Sequence, residues 1–394
     1  MPLTIILPRS KSIVIRCLII HYIKTGELLK VFENDPNDIK IVYNGLKKIS
    51  ENKKNITHNF SQLCEIDVQD CGAAFRFFMA LLANTSGKWL LKGTNRLLQR
   101  PILPLVNFLN EHGAMIQKTD FGWRIEGKKL QIYNCEIDTS ETSQFMSALM
   151  MICGMRYGVR GDDENSSSNF EEMTRETKRD SLYQNPYIRM TDIILQSNHL
   201  ANSPFTTLAD WSSAVFWFAN ALLIPNAHYL LKDLYLDNLQ GDAAIAPFFK
   251  KLNLTFEETK QGIEVYHSNQ IDISAQDIDV THTPDIAMIL AVLSVCYPFQ
   301  LTICGVKNLN FKESNRMDIM IHELSKFTII EQHSKDKITL YKRTKPLPAI
   351  FHFDSYNDHR FVMAWSLFRN FGEVNIENSD CVKKSYPAFF ENFR

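Results

Sequence analysis

Six apolar segments of this chain begin with polar residues that could bind a small anion. Their beginnings carry Lys11, Arg16, Arg76, Gln144, Asp285, His359 and Arg360. A cation at the start of a helix opposes the helix dipole, so Arg and Lys need another reason to be there. Free backbone N–H groups at a helix start, together with Arg and Lys, bind phosphate and carboxylate. The sequence therefore favours an enzyme that acts on small molecules with several negative charges.

A structural repeat protein, in which the polar residues only cap helices, is the alternative interpretation. Helix caps use Ser, Thr, Asp or Asn, whose short side chains accept a hydrogen bond from the first turn. Arg and Lys cannot accept such a bond. The residue types at these helix starts therefore favour a binding site over capping alone.

The segments that must position these residues recur at an even spacing. They are SKSIVIRCLIIHYI, CGAAFRFFMALLA, TSQFMSALMMICG, DWSSAVFWFANALL, TPDIAMILAVLSV and NDHRFVMAWSLF. Their starts lie 62 to 74 residues apart. More amphipathic helical patterns lie between them, as in RPILPLVNFLNEHGA, with short β-type stretches at 123–127 and 263–267. This pattern predicts an α/β protein of six repeats, in two three-repeat domains that divide near residue 208.

Composition excludes several classes of function. The 394 residues contain 43 Lys plus Arg against 44 Asp plus Glu, which excludes a strongly basic nucleic-acid binder. The eight cysteines form no Cys-x-x-Cys pair of the kind zinc sites use, and most lie in apolar runs typical of buried thiols in a reducing compartment. No apolar run approaches the ~18 residues that span a bilayer. We therefore expect a cytoplasmic protein without nucleic-acid or membrane partners and without a metal or cofactor.

Nine short motifs resemble, in order along the chain, those of the EPSP synthase (3-phosphoshikimate 1-carboxyvinyltransferase) family. They are LPRSKSIVIR, DCGAAFR, NRLLQRPI, TSQF, NPYI, THTPDIAM, NLNFKESNR, YNDHR and KSYP. The resemblance implies the two-domain enolpyruvyl-transferase fold with six βαβαββ-type repeats. It places residues 14–208 in the N-terminal domain and residues 1–13 and 209–394 in the C-terminal domain, with the active site in the cleft between them.

The resemblance also implies a reaction and its two small-molecule partners. The enolpyruvyl group of phosphoenolpyruvate is transferred to the 5-hydroxyl of shikimate 3-phosphate by addition and elimination, and phosphate is released. We expect phosphoenolpyruvate to bind Lys11, Gly72, Arg100, Arg316, Arg360 and Lys384. We expect shikimate 3-phosphate to bind Ser12, Arg16, Thr142, Ser143, Gln144, Tyr187, Asp285, Asn308 and Lys312. We also expect a monomer.

Two carboxylates are expected to carry the proton transfers. By the same resemblance Asp285 is the base at the 5-hydroxyl and Glu313 protonates the methylene carbon, with Lys11 and Lys384 as candidate proton partners. Each carboxylate also has a structural interpretation. Asp285 could be a first-turn acid favoured by the helix dipole, and Glu313 could form a surface pair with Arg316 worth ~0.2–0.5 kcal/mol.

We further expect Asp358 and His359 to orient Arg360. The cations of the motifs are expected to converge on one cleft, and the acids that balance their charge are expected to lie elsewhere in the chain.

Departures from the family motifs leave other functions open. Arg9 stands where the family usually has Gly, and Gln184 where a Ser contacting the shikimate phosphate is expected. The third repeat is eroded between 193 and 210, and the polar stretch 160–181 is predicted to be an exposed loop. One alternative is UDP-N-acetylglucosamine enolpyruvyl transferase, but GTNRLLQRP lacks the cysteine which that enzyme usually has. The other is a non-catalytic binding paralogue, against which the intact set of acids, bases and phosphoenolpyruvate ligands argues.

Overall fold

The computed structural model of the chain describes residues 2–55, 63–132, 135–154, 184–236, 239–267 and 275–393. The predicted loop at 160–181 lies outside these residues. Residue contacts divide the chain into two compact units, each described separately below. Unit 1 comprises Met1–Lys11, Asn34–Asn37 and Thr207–Arg394, and unit 2 comprises Ser12–Glu33 and Asp38–Thr206.

Helices and strands alternate along the described chain. The helices are α1 (Lys11–Thr25), α2 (Asn37–Asn55), α3 (Gly72–Ala83), α4 (Asn95–Leu98), α5 (Leu103–Glu111), α6 (Gln144–Cys153), α7 (Pro186–Gln196), α8 (Trp211–Leu223), α9 (Ala246–Lys251), α10 (Ala287–Cys296), α11 (Arg316–Leu324), α12 (His359–Ser366) and α13 (Phe389–Asn392). The strands are β1 (Leu3–Ile6), β2 (Leu63–Asp67), β3 (Gly87–Lys92), β4 (Met115–Thr119), β5 (Gly122–Gly127), β6 (His228–Lys232), β7 (Leu254–Thr259), β8 (Gly262–His267), β9 (Gln276–Asp279), β10 (Leu301–Cys304), β11 (Ile330–Ser334), β12 (Lys337–Leu340), β13 (Ile350–Asp354) and β14 (Glu373–Glu377).

Three four-stranded sheets share one arrangement, a parallel pair followed by an antiparallel hairpin. Their orders are β1-β6-β8-β7 and β9-β10-β12-β11 in unit 1 and β2-β3-β5-β4 in unit 2. β13 and β14 form a further parallel pair in unit 1. Side chains alternate in burial along β8, where Ile263 and Val265 are fully buried while Glu264 is partly exposed, as expected for strands with one face on a core.

The six apolar segments all fold as helices, and these helices form the cores of the two units. In unit 1, α10 packs against α8 and α12, and every residue of α10 is buried. In unit 2, α6 packs against α3 and α7. A helix surrounded by protein on all sides has no need of a polar face, which explains why these runs are apolar throughout. The expected mixed α/β class is confirmed, and the repeat count stays a prediction.

The stretch that the sequence identifies as eroded contains little regular structure. After α7 the chain forms two 3-10 turns, Leu200–Asn202 and Pro204–Thr206. Within residues 184–210 of the described chain, β structure is limited to a single bridge between Ala209 and Arg9. The chain therefore passes from α7 to α8 by turns alone.

Candidate active site

A strained turn places three polar residues at the start of α12. Tyr356 and Asn357 both adopt left-handed backbone angles, with φ of 53° and 52°, which is uncommon for residues other than glycine. Asp358 then caps the helix, because its Oδ1 accepts a hydrogen bond from the backbone N–H of Arg360 at 3.0 Å. His359 and Arg360 follow as the first residues of the helix, and both are buried.

Asp358 holds Arg316 rather than the guanidinium of Arg360. Its carboxylate accepts from Arg316 Nε at 2.7 Å and Nη2 at 3.1 Å, and from Ser314 Oγ at 3.0 Å. The Arg316 and Asp358 side chains are 1% and 0% exposed, so this is a buried two-point pair. Asp358 therefore contacts Arg360 through the backbone N–H of that residue, while its carboxylate also fixes the side chain of Arg316.

Asp285 lies among three cations. It sits in the 3-10 turn Pro284–Ile286 before α10, and its Oδ1 contacts Lys312 Nζ at 3.1 Å and Arg316 Nη1 at 2.8 Å. Its Oδ2 lies 3.4 Å from Arg360 Nη2. Burial alone would raise the pKa of Asp285, but Lys312, Arg316 and Arg360 outweigh it and hold the pKa well below its ordinary value. Asp285 is therefore an ionised centre of a charge network, which a helix-dipole role does not explain.

Glu313 links Arg316 to one further cation of the same unit, Lys384. Its Oε2 lies 2.8 Å from Arg316 Nη2, and its Oε1 lies 3.3 Å from Lys384 Nζ. The side chain of Glu313 is 14% exposed and that of Lys384 is 6% exposed. The predicted i,i+3 pair between Glu313 and Arg316 forms, but it does not lie at the surface, because Arg316 is buried and Glu313 is mostly buried. Beside it, Lys11 Nζ donates to Ser385 Oγ at 3.0 Å.

His359 is neutral in this surrounding. Burial lowers its pKa, and the nearby charges of Lys11 and Arg360 lower it further, to well below the ordinary value. Both ring nitrogens are buried, and neither makes a hydrogen bond with any described residue. The ring therefore contributes no positive charge near neutral pH.

Arg360 has hydrogen-bonding capacity that the described protein does not use. The residue is 2% exposed, and its Nε and Nη1 make no hydrogen bond within the described part of the chain. Buried N–H groups are normally satisfied, and those of a charged group are costly to leave without an acceptor. An anion with two oxygens would supply acceptors at this point.

A buried acid near Arg360, Asp242, is not among the residues that the sequence pointed to. Asp242 is 3% exposed, and its Oδ2 accepts from Ser212 Oγ at the start of α8. Burial raises the pKa of Asp242 to about 6, with the Ser212 hydrogen bond and the charge of Arg360 acting in the opposite direction. Asp242 lies in the 3-10 turn Gly241–Ile245, directly before α9. The signal in the sequence that could have identified Asp242 is an acidic residue directly before a helix.

In unit 2 the first residue of α3 lies against Arg100. A Cβ atom at Gly72 would stand 2.6 Å from Arg100 Nη1 and 2.9 Å from its Cζ. Arg76, to which the sequence assigns no definite role, fixes this region, since it donates to Gly72 O at 3.2 Å, Gln144 Oε1 at 2.9 Å and Pro101 O at 3.1 Å. The Arg76 guanidinium thereby brings Gln144 and the backbone of Gly72 together, with Arg100 against the position that a Cβ atom of Gly72 would occupy.

Arg16 is a buried cation bound by neutral groups. Its Nη1 donates to Ser12 O at 2.8 Å, and its guanidinium carbon lies 6.0 Å from the centre of the Tyr187 ring. Its other hydrogen bonds go to hydroxyl groups on α6 and α7. Within the described chain no carboxylate pairs with Arg16, and burial lowers its pKa to about 10, at which it is still charged at pH 7.

Local capping places the remaining predicted residues of unit 2 at helix starts. Thr142 Oγ1 accepts from the backbone N–H of Gln144 at 3.3 Å, and Ser143 is the residue before α6. Asn185 caps α7, since its Oδ1 accepts from Tyr187 N at 3.0 Å and Ile188 N at 3.4 Å. Gln184 is exposed just before this cap.

The predicted residues thus form one group in each unit. Unit 1 contains Lys11, Asp285, Asn308, Lys312, Glu313, Arg316, Arg360 and Lys384, and unit 2 contains Ser12, Arg16, Gly72, Arg100, Thr142, Ser143, Gln144 and Tyr187. Ion pairs join most of the unit 1 group directly. Asn308 stands at the opposite end of the 3-10 turn Leu309–Phe311 from Lys312.

Arg9, which stands near Lys11 where the family motif usually has Gly, forms an ion pair within unit 1. Its Nε donates to Asp35 Oδ1 at 2.7 Å and its Nη2 to Asp35 Oδ2. Asp35 is 2% exposed, so this is a two-point pair with a buried acid. The pair explains why Asn34–Asn37 belongs to unit 1, and it leaves Arg9 with little net charge to add beside Lys11.

The described residues show neither a metal-binding cluster nor a membrane-spanning helix. They contain no group of three or more His, Cys, Asp or Glu side chains that could hold a metal ion. None of the helices they form is both long enough and apolar enough to cross a membrane.

The sequence is similar to characterised families over nearly its whole length. The family model for EPSP synthase (3-phosphoshikimate 1-carboxyvinyltransferase) matches residues 4–393. A 3-phosphoshikimate 1-carboxyvinyltransferase from Bacteroides fragilis is 29% identical, with 99% of this chain and 94% of the relative covered. One from Vibrio cholerae is 27% identical, with 98% and 95% covered.

Solved structures show the same fold. EPSP synthase from Acinetobacter baumannii matches with a TM-score of 0.64 at 17% identity, over 99% of this chain and 94% of that one. The enolpyruvyl transferase NikO from Streptomyces tendae matches with a TM-score of 0.62 at 12% identity, over 99% and 93%. The expected enolpyruvyl-transferase fold is therefore confirmed. Because the family model covers the chain from residue 4 to residue 393, the chain belongs to the EPSP synthase (3-phosphoshikimate 1-carboxyvinyltransferase) family.

Proposed function

We propose that this chain transfers the enolpyruvyl group of phosphoenolpyruvate to the 5-hydroxyl of shikimate 3-phosphate and releases phosphate. One observation carries the proposal: Arg360 is buried in a network of ion pairs, yet its Nε and Nη1 make no hydrogen bond within the described chain. Such a site is prepared for a small, multiply charged anion. The family assignment identifies which anions these are.

We assign phosphoenolpyruvate to the cations of unit 1 and, in unit 2, to Gly72 and Arg100. Arg360 supplies free N–H groups, Lys384 and Lys11 supply ammonium groups, and Arg316 is held rigidly by Asp358. In unit 2, the missing side chain of Gly72 lets the Arg100 guanidinium lie directly against the start of α3, where it can donate to the ligand. Rigid, bidentate donors suit the phosphate and the carboxylate of this substrate.

Shikimate 3-phosphate binds polar groups at several helix starts. In unit 2 these are Ser12, Arg16, Thr142, Ser143, Gln144 and Tyr187, and in unit 1 they are Asp285, Asn308 and Lys312. Arg16 is the strongest element, because it is a charged and buried group whose hydrogen bonds go to neutral acceptors. Its charge is therefore not cancelled within the described protein.

Asp285 removes the proton of the 5-hydroxyl as that oxygen attacks C2 of phosphoenolpyruvate. In the unliganded protein the three cations around Asp285 hold its pKa low, which makes it a weak base. Substrate phosphate and carboxylate groups add negative charge beside Lys312, Arg316 and Arg360. Because that charge offsets the effect of the cations on Asp285, the pKa of Asp285 rises toward its ordinary value when both substrates are bound.

Glu313 supplies the proton that C3 gains during addition and removes it again during elimination. Its contacts with Lys384 Nζ and Arg316 Nη2 fix both of its oxygens. Lys384 and Lys11 are the proton partners of this step, while neutral His359 lies beside them. In the second step the C–O bond to phosphate breaks and phosphate leaves. The surrounding cations stabilise the charge on the tetrahedral ketal phosphate.

We also propose that the chain acts as a monomer in the cytoplasm. All eight cysteines are free thiols, as is usual in a reducing compartment. Size-exclusion chromatography with light scattering tests the monomer, with a mass of 45.5 kDa expected.

Phosphate release is the assay that tests the proposed reaction. The purified chain should release phosphate from phosphoenolpyruvate only when shikimate 3-phosphate is added, with no metal supplied. Binding of both ligands without phosphate release would instead indicate a non-catalytic paralogue. Release with UDP-N-acetylglucosamine in place of shikimate 3-phosphate would indicate the other enolpyruvyl transferase.

A further inference from the structure

Two buried hydroxyl groups beside Arg16 have no part in the roles described above. Thr191 lies on α7 and Ser147 on α6, and both residues are 0% exposed. Arg16 Nε donates to Thr191 Oγ1 at 2.8 Å, and Arg16 Nη2 donates to Ser147 Oγ at 3.3 Å. Three helices, α1, α6 and α7, therefore meet at one guanidinium.

The carbonyl oxygen of Tyr187 sets the direction of these hydroxyl groups. Thr191 Oγ1 lies 2.8 Å from Tyr187 O and 2.9 Å from Ser147 Oγ, and Ser147 Oγ lies 3.5 Å from the same carbonyl. A hydroxyl has one proton and two lone pairs. When Thr191 donates its proton to Tyr187 O, its lone pairs remain for the N–H of Arg16. The backbone of α7 thereby makes Thr191 an acceptor.

Neutral acceptors fix the position of the Arg16 guanidinium without cancelling its charge, which an acid would do. A free Arg side chain has many rotamers, and these contacts select one of them. A carboxylate at position 191 would also fix the guanidinium, but its charge would compete with an anionic ligand. With hydroxyl groups the guanidinium is held and its charge is kept. Nη1 and Nη2 each carry two N–H groups, so both can donate to a ligand as well as to the protein.

We propose that Thr191, with Ser147 beside it, is a positioning residue that fixes Arg16 to receive the anionic groups of shikimate 3-phosphate. The inference rests on the proposed function, in which Arg16 binds that substrate. Thr191 is fully buried and acts through Arg16 without touching the substrate. If Thr191 positions Arg16, its loss should weaken binding of shikimate 3-phosphate alone. If it only supports the fold, its loss should affect both substrates.

The Thr191→Val variant tests the inference, because it keeps the shape of the side chain and removes the hydroxyl. Arg16 Nε then loses its acceptor. We expect the Kd for shikimate 3-phosphate, measured by calorimetric titration, to rise about tenfold. The KM for phosphoenolpyruvate and the kcat at saturating shikimate 3-phosphate should change less than about twofold. Thr191→Ser should restore binding, since it returns the hydroxyl.

Thr302→Val is a matched control in unit 1. Thr302 lies on β10, is 7% exposed, and its hydroxyl is 3.0 Å from that of Thr339. This variant therefore also breaks a buried pair of hydroxyl groups, at a position without a proposed role in binding. Its thermal stability should fall about as much as that of Thr191→Val, while its Kd for shikimate 3-phosphate stays at the value of the unmodified chain.

The outcomes separate this inference from the proposed function. Normal binding of shikimate 3-phosphate by Thr191→Val, with normal binding by the unmodified chain, would overturn the inference alone. Equal losses for both substrates, or failure of Thr191→Ser to restore binding, would indicate a general structural role and would also overturn it. Absence of binding by the unmodified chain would overturn the proposed function, and the inference with it.

Discussion

In the proposed reaction Asp285 serves both the ion network and the proton transfer. Its three cationic partners keep it ionised, and we propose that the same carboxylate acts as base once the negative charge of the substrates offsets the effect of those cations. Removing the charge therefore has two effects, loss of the base and loss of a counter-ion for Lys312, Arg316 and Arg360. The first effect lowers turnover, and the second leaves more positive charge to bind anions.

The Asp285→Asn variant separates these effects. We expect kcat to fall by roughly 10²–10⁴, the range usual for a general base, while binding of shikimate 3-phosphate is retained. Steady-state phosphate release and calorimetric titration measure the two quantities. Asp380→Asn is the control, because Asp380 is an acid paired with Lys383 but 88% exposed. A kcat near that of the unmodified chain would contradict the assignment of Asp285 as base.

Asp242 should make stability depend on pH in the direction opposite to most acids. Its pKa is about 6 in the folded chain, against ~3.9 in an unfolded chain. Between these values the folded state keeps the proton that the unfolded state has lost, so stability falls as pH rises from about 4 to 6. At about 1.4 kcal/mol per pKa unit, the loss amounts to about 3 kcal/mol.

The Asp242→Asn variant removes this dependence because Asn does not ionise. We expect the free energy of unfolding to exceed that of the unmodified chain by up to about 3 kcal/mol at pH 7.5, and the difference to vanish near pH 4. Urea denaturation at a series of pH values measures it. A difference that does not change with pH would show that burial of Asp242 does not shift its titration.

At the scale of elements, the local pattern of the sequence predicts much of the fold. The six apolar runs are long, bounded by polar starts, and buried on all sides, so each is recognisable as a core helix without knowledge of its neighbours. The β-type stretches at 123–127 and 263–267 are likewise part of β5 and β8. Local pattern also placed most candidate residues at helix starts, where the structure has them.

Pairings between distant residues are what the sequence could not predict. Arg316 binds Asp358 over 42 positions, Arg9 binds Asp35 over 26, and Arg16 binds Thr191 over 175. Each pairing depends on how elements pack, and no periodicity within one element encodes it. For this reason the pairing of Asp358 with Arg316 and the hydroxyl groups around Arg16 were not predicted.

The side chain of Asn185 caps α7, and we expect its loss to destabilise the first turn of that helix. The Oδ1 of Asn185 accepts hydrogen bonds from two backbone N–H groups, including that of Tyr187. Asn185→Ala should lower the free energy of unfolding by about 1 kcal/mol and weaken binding of shikimate 3-phosphate, because the first turn that carries Tyr187 loosens. Asn185→Ser should retain both, since Ser also caps. Chemical denaturation and titration measure them, and equal losses in the two variants would contradict the capping role.

The start of α3 carries a second prediction at this scale. A methyl group at Gly72 would overlap the Arg100 guanidinium, which lies at the end of a flexible side chain and can move away. Gly72→Ala should therefore leave stability nearly unchanged and raise the KM for phosphoenolpyruvate about tenfold, as expected when one charged contact is lost. A double-mutant cycle with Arg100→Ala checks the cause. If Gly72→Ala has its full effect without Arg100, the displacement of Arg100 is not the reason.

At the scale of the whole molecule, the net charge is near zero, but the acidic and basic side chains are not spread evenly. The chain carries a formal charge of −1, and the sequence suggested that acids far from the site balance its cations. In unit 1 the balance is local instead, because Asp285, Glu313 and Asp358 lie between the cations. Such a network keeps several cations close together without a ligand, and two of its acids, Asp285 and Glu313, are the groups to which we assign the proton transfers.

The distribution of binding residues over the two units predicts where shikimate 3-phosphate stabilises the chain. Six of the nine residues expected to bind it belong to unit 2, among them Arg16, whose charge has no acidic partner within the described residues. A ligand at 100 times its Kd adds about 2.7 kcal/mol to the free energy of unfolding of the structure that binds it. Shikimate 3-phosphate alone should therefore slow amide exchange more in α3, α6 and α7 than in α8, α10 and α12. Hydrogen-exchange mass spectrometry measures this, with shikimate as the control that lacks the phosphate. Protection confined to the unit 1 helices, or equal protection by shikimate, would contradict the placement of the phosphate in unit 2.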